Sequence, residues 1–284
     1  MDLSPKVIYG IVERALAEDV GQGDLTTLAV IPAPAWAEAL VVTREPGVVA
    51  GLNVLEAVFT TIDPALAVER CVAEGEAVAE DVVLARVAGA ARAILTGERV
   101  ALNLLQRLCG IATLTARYVA AVRGLPVSIL DTRKTTPGLR ALEKYAVRVG
   151  GGTNHRFGLY DAIMLKDNHL ALLAARGVDF AEALRRARAA VGPMVRIEIE
   201  AETVEQACAA AAAGADMILL DNMLPEQLRA AVAAVAGRAQ LEASGGITLE
   251  TVRAVAETGV DYISVGALTH SARALDIGLD VVVG

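Results

Sequence analysis

The sequence predicts an α/β protein assembled from two differently textured parts, and three observations carry that prediction. From Val127 to the end, short apolar runs alternate with alanine-rich helical segments. Several of those runs are continuous rather than alternating, as expected for parallel strands buried on both faces. Between Ala35 and about Ile94 the pattern is instead one of short strands and turns, followed by a long helical stretch. The chain has 284 residues, enough for two domains or for one barrel with an appendage. Read from residues alone, the repeated strand-helix half is an α/β barrel or a doubly wound sheet.

The first element predicted is an amphipathic helix with Ser4 at its N-cap, Pro5 at its first position, and Val7, Ile11 and Ala15 on one apolar face. Val41-Val42-Thr43 and Val48-Val49-Ala50 flank Glu45-Pro46-Gly47 and read as a hairpin-like turn, and Val82 to Val87 supplies further strand. The pattern from Glu74 to Val87 is similar to the strands of biotinyl or lipoyl carrier domains. Those need a lysine at a hairpin tip, and this stretch has none. A long helix is expected over 96–122, with Arg99, Asn103, Gln106 and Gly110 forming one polar stripe. The strands predicted next are Val127–Leu130, Ala162–Leu165, Val195–Ile199, Met217–Leu220, Gln240–Ala243 and Tyr262–Val265, with helices over Phe180–Ala190 and Val204–Ala213 among the connections.

Composition narrows the function. Net charge is −8, so the chain lacks the basic face that nucleic-acid binding requires. Lys6, Glu13, Arg14 and Glu18 interrupt the apolar runs near the start, and no signal peptide or membrane span is expected. Cys71, Cys109 and Cys208 are odd in number and widely spaced, which fits neither a disulfide framework nor a zinc site and points to a reducing cytoplasm.

The chemistry gathers where the apolar runs end. Asp131-Thr132-Arg133-Lys134 follows the first run and Lys166-Asp167-Asn168-His169 the second. Glu200 closes the third, two residues after Glu198. Asp221-Asn222, Ser244-Gly245-Gly246 and Gly266-Ala267 follow the last three. In α/β barrels the C-terminal strand ends share one face, and active sites are built there. The chain has four lysines, and three of them lie between Thr132 and His169, together with His155, Arg133, Arg140, Arg148 and Arg156. Too few acids accompany them to neutralise the segment, so the cluster predicts a pocket for a multiply charged anion. Gly150-Gly151-Gly152 frees the backbone for close approach to a ligand or for a lid. The glycines of Ser244-Gly245-Gly246 and Val265-Gly266-Ala267 are placed to present N–H groups to a phosphate. Glu200 and Asp221 offer hard oxygens suited to Mg²⁺.

The stretch from Leu130 to Arg140, Glu143-Lys144-Tyr145-Ala146-Val147, the glycine triplet, Asn154-His155-Arg156 and Met164 to His169 resemble the quinolinate phosphoribosyltransferase family. So do Gly23-Asp24-Leu25-Thr26-Thr27 near the start and Val265 to Ser271 near the end. The resemblance spans essentially the whole chain. It implies an N-terminal open α/β sandwich domain over 1–110, joined by 271–284, and a C-terminal incomplete α/β barrel over 111–270. It implies transfer of a phosphoribosyl group from phosphoribosyl pyrophosphate to quinolinate, with loss of CO₂ and with Mg²⁺. It also implies a cytoplasmic homodimer, or a higher oligomer, whose active sites are shared. By the same resemblance Arg133, His155, Arg156 and Lys166 hold the quinolinate carboxylates, with Lys134 and Thr132 beside them, and Arg99 reaches in from the partner subunit. Glu200 and Asp221 face ribose and Mg²⁺, and with Lys134 form the catalytic set. Ser244, Gly245, Gly246, Val265, Gly266 and Ala267 contact phosphate. Two rivals are weighed: a related pyrophosphorylase-like protein linked to molybdenum transport, against which Leu165 to His169 and Thr132 to Thr135 argue, and a non-catalytic polyanion-binding protein, which pyrophosphate release would exclude.

Overall fold

The computed structural model describes residues 3–282. The chain separates into two compact units, one comprising the segment up to Ala116, Thr135–Gly151 and everything from Ala267, the other Arg117–Lys134 and Gly152–Gly266.

In the first unit, α1 (Pro5–Asp19) and α2 (Leu25–Val30) precede β1 (Trp36–Thr43), β2 (Gly47–Val48), α3 (Leu52–Ile62), β3 (Ala67–Arg70), β4 (Ala77–Val78) and β5 (Val83–Ala90). The long α4 (Ala91–Ala121) follows, then α5 (Arg140–Val149), and the described chain ends in α11 (Ala267–His270) and β12 (Ile277–Val282). A four-stranded antiparallel sheet has the order β12-β1-β5-β3.

Helix α1 begins at Pro5 as its sequence predicts, but the Ser4 side chain makes no capping bond. Its buried stripe is Ile8, Ile11, Val12 and Leu16, while Val7 is exposed. The face is thus rotated from the Val7–Ile11–Ala15 expectation, because the stripe that packs against α3 is set by the larger Ile and Leu side chains. The expected hairpin around Glu45-Pro46-Gly47 does not form. β1 pairs with β5 and β12, and β2 pairs with β4. Arg44 N donates to Asp276 O at 2.8 Å, and the Glu45 carboxylate accepts from Asp276 N, so the C-terminal segment takes the place a hairpin partner would have.

The polar stripe of α4 divides. Arg99 and Asn103 are exposed, whereas Gln106 Nε2 donates to Ile277 O at 2.6 Å and Gln106 O accepts from Leu275 N. Gly110 lets the Arg273 carbonyl approach so closely that a Cβ would lie 2.0 Å from its oxygen. Segment 135–151, expected in the barrel half, belongs to this unit instead. Helix α5 buries Leu142, Ala146 and Val147, and its fully buried Glu143 accepts from Arg107 Nη2 at 2.8 Å and from Thr136 N at 3.0 Å. Gly150 sits against the Ala112 carbonyl, where a Cβ would come within 2.4 Å, and Gly151 turns the chain at φ +86°. These two glycines serve helix packing and chain reversal.

In the second unit, β6 (Ser128–Leu130), β7 (Ile163–Leu165), β8 (Ile197–Ala201), β9 (Met217–Asp221), β10 (Gln240–Ser244) and β11 (Tyr262–Ser264) form one parallel sheet of order β6-β11-β10-β9-β8-β7. Helices α6 (Asp167–Ala174), α7 (Phe180–Ala189), α8 (Val204–Ala212), α9 (Pro225–Val235) and α10 (Val252–Ala256) connect the strands from β7 onward. From β7 to β11 each strand neighbours the next in sequence, and β11 returns beside β6. That is barrel winding rather than doubly wound order, and it leaves the incomplete barrel open between β6 and β7, which share no ladder among the described residues. At that gap Thr153 bridges Leu130, with Thr153 N donating to Ile129 O at 2.8 Å. β8 is displaced toward the C-terminus from its expected start, because Asp216 Oδ2 accepts from Ile197 N and pins the first paired residue there.

Gly110→Ala supplies a signed test of the α4 contact. In an exposed helix this change would gain about 0.8–1 kcal/mol. Here it should cost about 1–3 kcal/mol, since backbone cannot yield as a side-chain tip does. Gly192→Ala, which meets nothing within 4 Å, should be near neutral, and urea denaturation of the two variants measures the contrast.

Candidate active site

Parallel register puts the C-terminal ends of all six strands on one side. Ser244 pairs with Asp221, and Glu200 with Leu219. Thr132, Arg133 and Lys134 follow β6, Lys166 follows β7, and Glu200 lies in β8. Asp221 ends β9, Ser244 ends β10 and Val265-Gly266 follows β11. The convergence expected from the apolar runs is therefore a property of the ladder.

The anchor of this region is Asp131, fully buried at the end of β6. Its carboxylate accepts from Asn154 Nδ2 at 2.6 Å and from His155 N at 2.9 Å, tying the loop after β6 to the segment that carries His155 and Arg156. His155 turns Nε2 toward two buried carboxylates, Glu198 at 3.0 Å and Glu242 at 3.4 Å. Burial lowers the imidazole pKa, but these carboxylates outweigh it and push it up to about 10. Arg156 N lies 2.7 Å from Nδ1, which accepts from it in the neutral ring, and Nε2 is then the nitrogen whose proton faces Glu198. Arg156 is held by Nη1 to Ala162 O at 3.0 Å; burial and then the neighbouring Arg133 guanidinium lower its pKa, opposed by Glu198 and Asp161. Arg133 Nε is buried without a hydrogen-bond partner among the described residues. A cavity of about 390 Å³ opens among Leu130, Asn154, His155, Arg156, Glu198 and Tyr262, and also reaches Arg196 and Met217 at the N-terminal strand ends beside the β6–β7 gap.

Toward the C-terminal strand ends the charges alternate. Lys166 Nζ lies 3.6 Å from Glu200 Oε2. Burial raises the Glu200 pKa, Lys166 opposes the rise, and Asp221 and Asp167 add to it. Asp221 accepts from Asn222 Nδ2 at 2.6 Å. The two carboxylates offer hard oxygens of the kind a divalent cation takes, and the Glu200 oxygen that makes no hydrogen bond is the one that faces Lys166. A second cavity, about 440 Å³, borders Glu200 together with Asp167, Asn168, Phe180, Glu202 and Gln206.

The remaining expected residues fall as follows. Thr132 Oγ1 accepts from Lys134 N at 3.0 Å, and Lys134 is exposed. Gly245 and Gly246 are consecutive left-handed residues, φ +102° and +60°, and a Cβ on Gly245 would strike Asn222 Oδ1 at 2.1 Å. Val265 is buried with its N–H given to Leu130 O at 2.9 Å, so that donor is already spent on the sheet. Gly266 closes the second unit, while Ala267 begins α11 and belongs to the first. Arg99 is also in the first unit, with its side chain 59% exposed and 3.7 Å from Glu98. His169 caps α6, Nδ1 accepting from Lys166 N at 3.0 Å. Sequence reasoning missed Glu242 and the pairing role of Glu198. The signal was present, since a charged residue inside an apolar strand must find a partner.

Two family models cover the chain, the quinolinate phosphoribosyl transferase N-terminal domain over residues 24–109 and its C-terminal domain over 111–280. The chain belongs to the quinolinate phosphoribosyltransferase family. Among its relatives is the nicotinate-nucleotide pyrophosphorylase (carboxylating) of Mycobacterium leprae, 48% identical over 278 residues and covering 95% of each chain. A probable enzyme of the same name from Bacillus subtilis is 47% identical over 271 residues, covering 95% of this chain and 92% of the relative. The crystal structure of NadC from Streptococcus pyogenes superimposes with a TM-score of 0.93 at 43% identity, covering 100% of both chains. For this quinolinate phosphoribosyltransferase family member, Asp131 is the residue on which the site geometry turns. Asp131→Ala should lower stability by about 1.5–3 kcal/mol, the scale of hydrogen bonds to a charged group, and the loss is read by urea denaturation.

Proposed function

We propose that the protein transfers the phosphoribosyl group of phosphoribosyl pyrophosphate to quinolinate and releases pyrophosphate and CO₂, forming nicotinate mononucleotide in NAD biosynthesis. The observation that carries this reading is the pairing, within one unit of a family member, of a cationic pocket with a carboxylate pair at the strand ends. Arg133, Arg156 and Lys166 supply the cations, and Glu200 with Asp221 the carboxylates.

The diacid binds by its two carboxylates against the cations, with its pyridine nitrogen directed at the ribose. Glu200 and Asp221 would hold Mg²⁺, which neutralises charge on the departing pyrophosphate when bound. As the carbon–oxygen bond to pyrophosphate breaks, positive charge develops on the ribose, and fixed carboxylates beside it stabilise that charge. The pyridine nitrogen forms the new bond. Its quaternary charge then stabilises the electron pair left on the adjacent ring carbon as the carboxylate departs as CO₂, and that carbon takes up a proton from water. Positioning and electrostatics supply the catalysis, with no covalent enzyme intermediate. The left-handed Gly245-Gly246 pair supports a phosphate-contacting turn after β10. We further place the enzyme in the cytoplasm as a homodimer with Arg99 acting in the partner's site. An exposed Arg99 and three cysteines outside any disulfide support this reading. No helix among the described residues is long and apolar enough to cross a membrane.

Turnover tests the reading directly. With quinolinate, phosphoribosyl pyrophosphate and Mg²⁺, one CO₂ should appear per pyrophosphate. Nicotinate should give negligible pyrophosphate, because a monoacid leaves a cation of the half-buried pocket without the partner the site is built to supply. Arg133→Ala and Lys166→Ala should each weaken catalysis with quinolinate by about 2–5 kcal/mol. Comparable turnover of nicotinate overturns the assignment.

The shared site has its own test. Arg99→Ala protein should be nearly inactive, and mixing it with inactive Lys134→Ala chains should restore activity, since one site of a mixed dimer would be intact. Absence of recovery after demonstrated subunit exchange counts against a shared site.

A further inference from the structure

Beneath the cations lie two acids to which nothing above gives a function. Glu198 and Glu242 are 5% and 1% exposed, deep inside the barrel unit on β8 and β10, the two strands that flank β9. A buried carboxylate without a partner is costly, and two together repel as well. Yet Glu198 Oε1 and both Glu242 oxygens lack a well-formed hydrogen bond, His155 and the Ser264 hydroxyl being the groups that approach Glu242, and neither residue forms a salt bridge to a lysine or arginine among the described residues. What they share is the His155 imidazole, whose Nε2 lies 3.0 Å from one and 3.4 Å from the other. The opposite ring nitrogen lies 2.7 Å from the Arg156 backbone nitrogen, and the His155 backbone is itself held by Asp131. The imidazole is therefore clamped from both sides, and the clamp ends at Arg156. Arg156 also crowds Arg133, so the two guanidiniums need nearby negative charge to share a half-buried pocket before an acid arrives.

We infer that Glu198 and Glu242 are positioning residues for the acid substrate, acting through His155 to set Arg156 and to balance the Arg133–Arg156 pair while the pocket is empty. This rests on the proposed function and deepens it. A pair kept only for stability would be a poor choice, because two buried carboxylates on one imidazole leave an excess of buried negative charge, which neutralising one of them relieves.

Glu198→Gln and Glu242→Gln keep the shape and remove one charge each. We expect each to raise the KM for quinolinate about tenfold to a hundredfold, the scale on which losing the orienting partner of a metal-ligating histidine weakens its site. The KM for phosphoribosyl pyrophosphate and the kcat should change little. Calorimetric titration of the full-length protein with quinolinate alone should show the same weakening. Thermal stability should be unchanged or higher. In an Arg156→Ala background, Glu242→Gln should add little, since both act on one contact. Unchanged quinolinate affinity in both variants overturns the inference. So does a loss of affinity that tracks a loss of stability, or full additivity with Arg156→Ala. Wild-type protein that neither binds nor turns over quinolinate would instead refute the proposed function, so the two failures are distinguishable.

Discussion

The barrel unit depends on how its open seam is closed. β6 and β7 share no ladder, so the backbone groups facing one another there need other partners. Thr153 supplies them for β6, and Asp131 then locks the result by accepting from Asn154 and from the His155 backbone. A fully buried carboxylate is tolerated because its oxygens are met by donors fixed in place. The same bonds that seal the seam aim His155 and Arg156. Closure of the fold and construction of the cationic pocket are thus one event.

Charge placement follows a related logic in both units. In the first, Glu143 is fully buried and accepts from Arg107 and from Thr136, which immobilises the chain just after Lys134. In the second, Lys166 stands opposite Glu200, and His155 opposite Glu198 and Glu242. Alternating signs let several ionised groups sit in a partly desolvated space without unpaired charge. They also leave Arg133 Nε and a Glu200 oxygen unsatisfied, the unmade bonds that a binding site holds in readiness.

Glycine marks the places where backbone meets backbone. Gly110 and Gly150 admit carbonyl groups at distances no Cβ allows, and Gly245 admits Asn222 while holding a left-handed turn. Only the last bears on the site. From sequence all three look alike, because the absence of a side chain does not say what takes its room.

The sequence by itself determined the parallel strands, whose continuous apolar runs demand burial on both faces. It also determined the gathering of polar residues at their C-terminal ends, because parallel strands linked by helices must all point one way. Thr132 to Lys134, Lys166, Glu200 and Asp221 were legible for that reason. Tertiary structure alone decided the rest. The chain after Arg273 displaced the expected hairpin, and α5 went to the first unit, since pairing and packing over long sequence separation leave no local pattern. It also decided that Glu198 and Glu242, which stand 44 residues apart, would meet at one imidazole. Strand order, not composition, brings β8 and β10 to either side of β9, and only there does a charge inside an apolar strand find its partner.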